Sequence, residues 1–162
     1  MSKIAIIYAT SRGKTAKVAE LIKEKVGNAD IFNIKESGNV DIKPYDVLFL
    51  GNSSTGHGDI QQSWLDILPT FSQQHFAGKK VALFDLGNSA YHKDTFCAGM
   101  SHLYKALKDK VNFVGRVSVD GYAFEASDSV VDGKFVGLAL DEDNESDKTD
   151  TRLTSWIKSL AL

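Results

Sequence analysis

Ile4-Ala5-Ile6-Ile7-Tyr8-Ala9-Thr10-Ser11-Arg12-Gly13-Lys14-Thr15-Ala16-Lys17-Val18 changes its periodicity midway. Ile4 to Tyr8 is a continuous, β-branched apolar run, the pattern of a strand buried on both faces. After Gly13, Val18, Leu21, Ile22 and Val26 fall on one face of a helix. The alternation repeats outward from there. Ile31–Ile34, Val47–Leu50, Val81–Phe84 and Phe113–Val117 read as strands. Phe96, Met100, Leu103 and Leu107 share one helical face, and Leu153, Trp156, Ile157 and Leu160 another. Ile60 to Leu68, ended by Pro69, is a weaker helix candidate. Strands alternating with helices over the whole chain predict an α/β fold: a doubly wound, five-stranded parallel sheet with helices on both faces. Asp120 to Lys134, rich in Asp, Ser and Gly, interrupts the fifth strand, and Phe135–Leu140 resumes the apolar run. We read residues of about 120–135 as an inserted loop or hairpin within a single domain spanning 1–162.

Composition excludes several classes. A single cysteine among 162 residues makes no intrachain disulfide. With 43% hydrophobic and 25% charged residues the chain is neither disordered nor collagen-like. No apolar run approaches the ~20 residues that span a bilayer, so no membrane insertion is expected. Met1-Ser2-Lys3 leads straight into the first strand without an apolar signal region, and the expected compartment is the reducing cytoplasm. The formal charge of −2 gives no basic excess for nucleic acid. That total hides an asymmetry: Asp120–Asp150 holds ten acids against two lysines, while the remainder carries 17 bases and 11 acids.

Ligands of open parallel sheets sit beyond the carboxyl ends of the strands, and three segments there are rich in small and polar residues. Thr10, Ser11, Arg12, Gly13, Lys14 and Thr15 follow the first strand and open a helix. Hydroxyls and free N–H groups at a helix start suit a phosphate, and Gly13 permits close backbone approach. Ser53, Ser54, Thr55, Gly56, His57 and Gly58 follow the third strand, and two glycines in three residues permit close approach of a flat ligand. Leu86, Gly87, Asn88, Tyr91 and His92 follow the fourth, where an aromatic or imidazole ring can stack on a planar group; Phe96 lies just beyond. Together they suit a mononucleotide, its phosphate in the first loop and its ring between the other two.

Gly13-Lys14-Thr15 also looks like the end of a P-loop, but that motif needs a glycine where Tyr8 stands. A phosphate-acceptor domain of the same strand order needs adjacent acids after the first strand, where Ala9-Thr10 stand. His57, His75, His92 and His102 lack metal-site spacing, and Cys97 reads as an inert helix residue. The residues alone leave open a nucleotide-binding protein and an interaction module without a cofactor.

The chain resembles the long-chain flavodoxins, small FMN proteins that shuttle electrons. The resemblance is most specific in Asp120-Gly121-Tyr122, then from Asp132-Gly133-Lys134 through Asp141-Glu142-Asp143-Asn144 to Arg152 and Trp156. It implies strand order 2-1-3-4-5 with FMN at the switch between strands one and three. It also implies a phosphate loop carried here by Thr10, Ser11, Gly13 and Thr15, with Arg12 in place of a hydroxyl residue. Ser54, Gly56, Gly58 and Asp59 match the second loop, and Thr55 stands where many members place a large apolar or aromatic residue against the flavin. Asn88 and Ser89 replace the usual Asp and Gln after Gly87. His92 takes the outer stacking position, with Tyr91 one place early. The resemblance further implies that the Gly56–His57 peptide turns its carbonyl toward flavin N5. The expected role is a low-potential one-electron carrier, not an enzyme. It would work as a monomer in transient complexes with an NADP-linked flavoprotein reductase or similar donor and a low-potential acceptor. Asp59, Asp94 and Asp143 are candidates for the acidic field around the flavin, opposed by Arg12 and His92.

Overall fold

The structure, a computed structural model, describes residues 2–162. β1 (Ile4–Tyr8) leads to helix α1 (Lys14–Val26), then β2 (Asp30–Asn33), the single turn α2 (Ile34–Ser37) and β3 (Val47–Ser53). Helix α3 (Gln62–Phe71), β4 (Lys80–Leu86), helix α4 (Met100–Leu107) and β5 (Asn112–Val114) follow. The five strands are parallel, in the order β2-β1-β3-β4-β5, as the resemblance implied. The period-two alternation assigns the faces. Ala5, Ile7, Leu48, Leu50, Val81 and Leu83 pack with Trp64, Ile67 and Phe71 of α3 and Met100, Leu103 and Leu107 of α4. Ile4, Ile6, Tyr8, Phe49, Ala82 and Phe84 pack with Val18, Ala19 and Ile22 of α1. Because every central strand is covered on both faces, its runs are continuous and apolar.

The edge beyond β4 departs from the expected single strand. β5 stops at Val114, and Gly115 turns with φ +78°, a β-carbon there being only 2.5 Å from Trp156 Nε1. The chain then builds a small antiparallel sheet in the order β6-β8-β7, from β6 (Val117–Ser118), β7 (Val130–Val131) and β8 (Lys134–Phe135). β9 (Leu138–Leu140) returns to pair in parallel with Phe84–Leu86, above the Lys80–Ala82 stretch that β5 covers. Val117 and Phe135, read from sequence as fifth-strand residues, therefore belong to the small sheet. Gly137 marks the return: a β-carbon there would meet the Leu83 carbonyl oxygen at 2.1 Å. Helix α5 (Thr149–Ser159) closes the chain, with Leu153 and Trp156 against the α1 face.

Two helix boundaries differ from the sequence expectation. α3 continues through Pro69 to Phe71, because the proline removes one backbone donor while tertiary burial holds the last turn. Phe71 is fully buried, its ring edge-on to Trp64 at 5.6 Å and to Phe76 at 5.8 Å. α4 begins at Met100, not Phe96. Cys97, expected on the helix, sits in the preceding turn with φ +49° and is buried. No helix among the described residues is long and apolar enough to cross a membrane.

Candidate functional site

The carboxyl ends of β1, β3 and β4 open into a cleft of about 620 Å³. Thr10, Ser11, Arg12 and Lys14 line one end. Gly13 adopts a left-handed φ of +84° at the cap of α1, and its N–H donates to Thr10 Oγ1 at 3.0 Å. A side chain is strained in this conformation, so the sharp entry into α1 requires the glycine. α1 has no acidic residue in its first turn and no side-chain cap, which leaves N–H groups at its positive end free for an anion. Thr15 is fully buried at this point, and its Oγ1 has no hydrogen-bond partner. An unpaired buried hydroxyl costs about 1–3 kcal/mol. A phosphate at the start of α1 would accept from it, and the residues present fit a phosphate monoester.

Ser53, Ser54, Thr55 and Gly56 form the second wall. Thr55 and Asp59 exchange backbone hydrogen bonds of 3.1 and 2.8 Å, closing a tight loop through Gly56 at φ +52°. Asn52 and Gln61 brace its base: Gln61 N donates to Asn52 Oδ1 at 3.0 Å, and Gln61 Nε2 to the Ser53 carbonyl at 2.7 Å. Leu86, Gly87, Asn88, Tyr91 and His92 form the third wall. Asn88 Oδ1 accepts from the N–H groups of Ala90 and Tyr91 at 3.0 Å, folding the loop outward, and Tyr91 is 85% exposed. The His57 and His92 rings meet edge-on across the mouth, 6.5 Å between centroids.

Glu142, Asp143 and Asn144, after β9, complete the cleft. Lys14 Nζ binds Asp143 Oδ1, joining the first wall to this segment. Asn88 Nδ2 donates to Asp143 Oδ2 at 3.3 Å, and Asn144 Nδ2 to Asn88 Oδ1 at 2.8 Å. The hydrogen bond from Lys14 holds the Asp143 carboxyl below the usual range. A strand end followed at once by Asp141-Glu142-Asp143-Asn144 was the sequence signal for Glu142 and Asn144, neither of which was among the candidate site residues. The pairing of β9 with β4 is what brings this segment beside the other loops.

Five sequence candidates lie outside the lining. Gly13 is the partly exposed cap of α1, and Thr15 is buried in that helix's first turn. His57 is exposed at the rim. Gly58 faces away: a β-carbon there would sit 2.6 Å from Ala98 Cβ, so its role is to pack the loop against the turn before α4. Phe96 is a core residue, 1% exposed, with its ring 5.7 Å from Phe124 and 6.1 Å from Phe135. Phe135 comes from β8 and Phe124 from the connection between β6 and β7.

A family model described as Flavodoxin matches residues 6–156. A flavodoxin of Helicobacter pylori is 38% identical over 161 residues, covering 99% of this chain and 97% of that protein. Flavodoxin 1 of Azotobacter vinelandii is 41% identical over 167 residues, covering 99% and 96%. Among solved structures, Fusobacterium nucleatum flavodoxin bound to flavin mononucleotide superposes with a TM-score of 0.93. It is 32% identical, covering 99% of this chain and 98% of that one.

Proposed function

The chain belongs to the flavodoxin family, and from that premise we propose how its own residues hold FMN and serve electron transfer. The protein is an FMN electron carrier, and the bound flavin supplies the one-electron chemistry while the protein tunes it. The observation that carries the residue assignment is Thr15 Oγ1, buried and unpartnered at the start of α1. In our reading it donates to the FMN phosphate, together with Thr10, Ser11 and the first N–H groups of α1. Arg12 and Lys14 supply the countercharge.

Thr55 of the second wall and His92 and Tyr91 of the third would hold an isoalloxazine between them. Gly56 lets the Gly56–His57 peptide rotate toward the ring edge at small steric cost. Asp59, Asp94 and Asp143 oppose negative charge at the ring, and Arg12 and His92 favour it. We read the whole chain, 1–162, as one cytoplasmic domain acting as an electron-transfer protein and not as an enzyme. Glu142 and Asp143 border the cleft and belong to the acidic stretch Asp120–Asp150. A partner with a basic rim is steered to this face. We propose a low-potential carrier of this kind between a reductase, such as an NADP-linked flavoprotein, and an acceptor protein. It acts as a monomer in transient complexes.

The test is reconstitution of the apoprotein with FMN. The expected product shows flavin bands near ~370 and ~450 nm and one flavin phosphorus per chain. Protein that stays colourless after reconstitution overturns the reading and favours an interaction module of the same fold.

A further inference from the structure

Asp85, near the end of β4, is fully buried and joins three elements that frame the cleft. Ser54 Oγ of the second wall donates to Asp85 Oδ2 at 2.7 Å, and the Met100 N–H at the start of α4 donates to the same oxygen at 2.8 Å. Ser54 Oγ itself accepts from the Gly99 N–H at 2.9 Å. The other carboxyl oxygen has one distant neighbour, Asn52 Nδ2 at 3.4 Å. That amide is oriented by Gln61 N, which donates to its Oδ1, so it presents a donor to Asp85. Among the described residues Asp85 has no cationic partner.

These contacts set two costs against each other. An ionised Asp85 satisfies every donor but leaves an uncompensated charge in the interior. A neutral one removes the charge but points a hydroxyl at the Asn52 amide or leaves it unpaired. Neither form dominates across the whole pH range. Burial pushes the carboxyl up to about 7, while the hydrogen bonds from Ser54, Met100 and Asn52 pull the other way. The titratable groups on the packed elements are Cys97 before α4, His57 and Asp59 on the second loop, Asp141 after β9, and His102, Tyr104 and Lys105 on α4. Cys97 Sγ donates to the Asp85 backbone carbonyl at 3.4 Å. None of these groups is hydrogen-bonded or ion-paired to the carboxyl.

We propose that Asp85 is a buried proton-binding site acting as a positioning residue through Ser54 and Asn52, and that its protonation is linked to FMN binding. The proposal rests on the FMN reading and extends it to regulation of the same site. Ionised Asp85 places a negative charge one hydrogen bond from the cleft and opposes the phosphate-bearing ligand. Neutral Asp85 does not.

The experiment compares wild type with Asp85→Asn in two readouts. FMN affinity is measured from pH 6.5 to 8.5, above the second ionisation of a phosphate monoester near pH ~6. His57 and His92 are common to both proteins, so the difference between the curves isolates Asp85. Wild type is expected to weaken by roughly threefold to tenfold relative to Asp85→Asn as the pH rises, the scale of one partly screened charge. Infrared titration of the apoproteins is the second readout. A carboxylic-acid carbonyl band should disappear near neutrality in wild type and be absent from Asp85→Asn. Parallel affinity curves in two proteins that both bind FMN overturn the proposal, as does a carboxylate already ionised at pH 5. If the infrared band titrates but neither protein takes up FMN, the linkage falls with the FMN reading, and the infrared band locates the failure there. If Asp85→Asn does not fold, Ser54→Ala replaces it: losing the Ser54 hydrogen bond should raise the pH at which the band disappears and move the pH dependence of FMN affinity upward with it. An unchanged dependence then overturns the proposal.

Discussion

Replacing Thr15 by valine should move stability and affinity in opposite directions. The side chain is fully buried and its Oγ1 is without a partner, so the apoprotein carries the cost of an unsatisfied hydroxyl. Valine nearly preserves the volume, and the two residues have similar helix propensities. Thr15→Val should therefore stabilise the apoprotein by about 1–2 kcal/mol, within the range for a buried polar group left unpaired. In the proposed complex the same hydroxyl would donate to a charged phosphate, a bond worth about 1.5–3 kcal/mol. Losing it should weaken FMN binding roughly tenfold to hundredfold, at 1.4 kcal/mol per decade. The assays are urea unfolding of the apoprotein and fluorescence titration with FMN and with riboflavin, which lacks the phosphate. Riboflavin affinity should hardly change. Two results would refute the reasoning: an apoprotein destabilised by the substitution, or equal losses for FMN and riboflavin. Either would make Thr15 a packing residue and not a phosphate ligand.

Thr55→Trp and His92→Tyr should each tighten FMN binding, since an aromatic stack adds about 0.5–1.5 kcal/mol beyond burial; unchanged dissociation constants in titration would count against ring placement between these walls. Arg12→Thr should make the second one-electron reduction potential more negative by removing positive charge from the cleft end. Redox titration checks this, and a shift in the opposite direction contradicts it. Asp85 also predicts a stability profile. Its folded value, about 7, lies above its ordinary 3.8, so its contribution is fully present below pH ~4 and lost as the pH rises toward ~7. The loss is at most about 4 kcal/mol at ~1.4 kcal/mol per pH unit. Denaturant unfolding of the apoprotein should show wild type falling relative to Asp85→Asn across that window and running parallel to it above.

Local pattern was enough for the scaffold. Continuous apolar runs such as Ile4–Tyr8 and Val47–Leu50 fit strands with both faces covered, and Val18, Leu21 and Ile22 fit one helical stripe. The strand-end rule then located the three loops that line the cleft, because helix termini and strand ends are properties of neighbouring residues. Three things were not local. Phe96 reads as the start of a helical stripe beside the stacking position, but aromatic neighbours from the inserted segment, Phe124 and Phe135, pack against it in the core. The fourth side of the cleft comes from Asp143 and Asn144, more than fifty residues from Asn88, and exists because β9 pairs with β4.

Asp85 shows the division most plainly. In the sequence it is an apolar strand ending in an acid, a common and uninformative pattern. Tertiary structure closes Ser54, Asn52 and Met100 around it and excludes both water and cations. Sequence by itself determined the central strands, the helical stripes and the three strand-end loops, since those follow from periodicity and from residues adjacent in the chain. Only the tertiary structure decided the cleft's acidic side and the proton affinity of Asp85, since desolvation is set by what distant segments pack against a group.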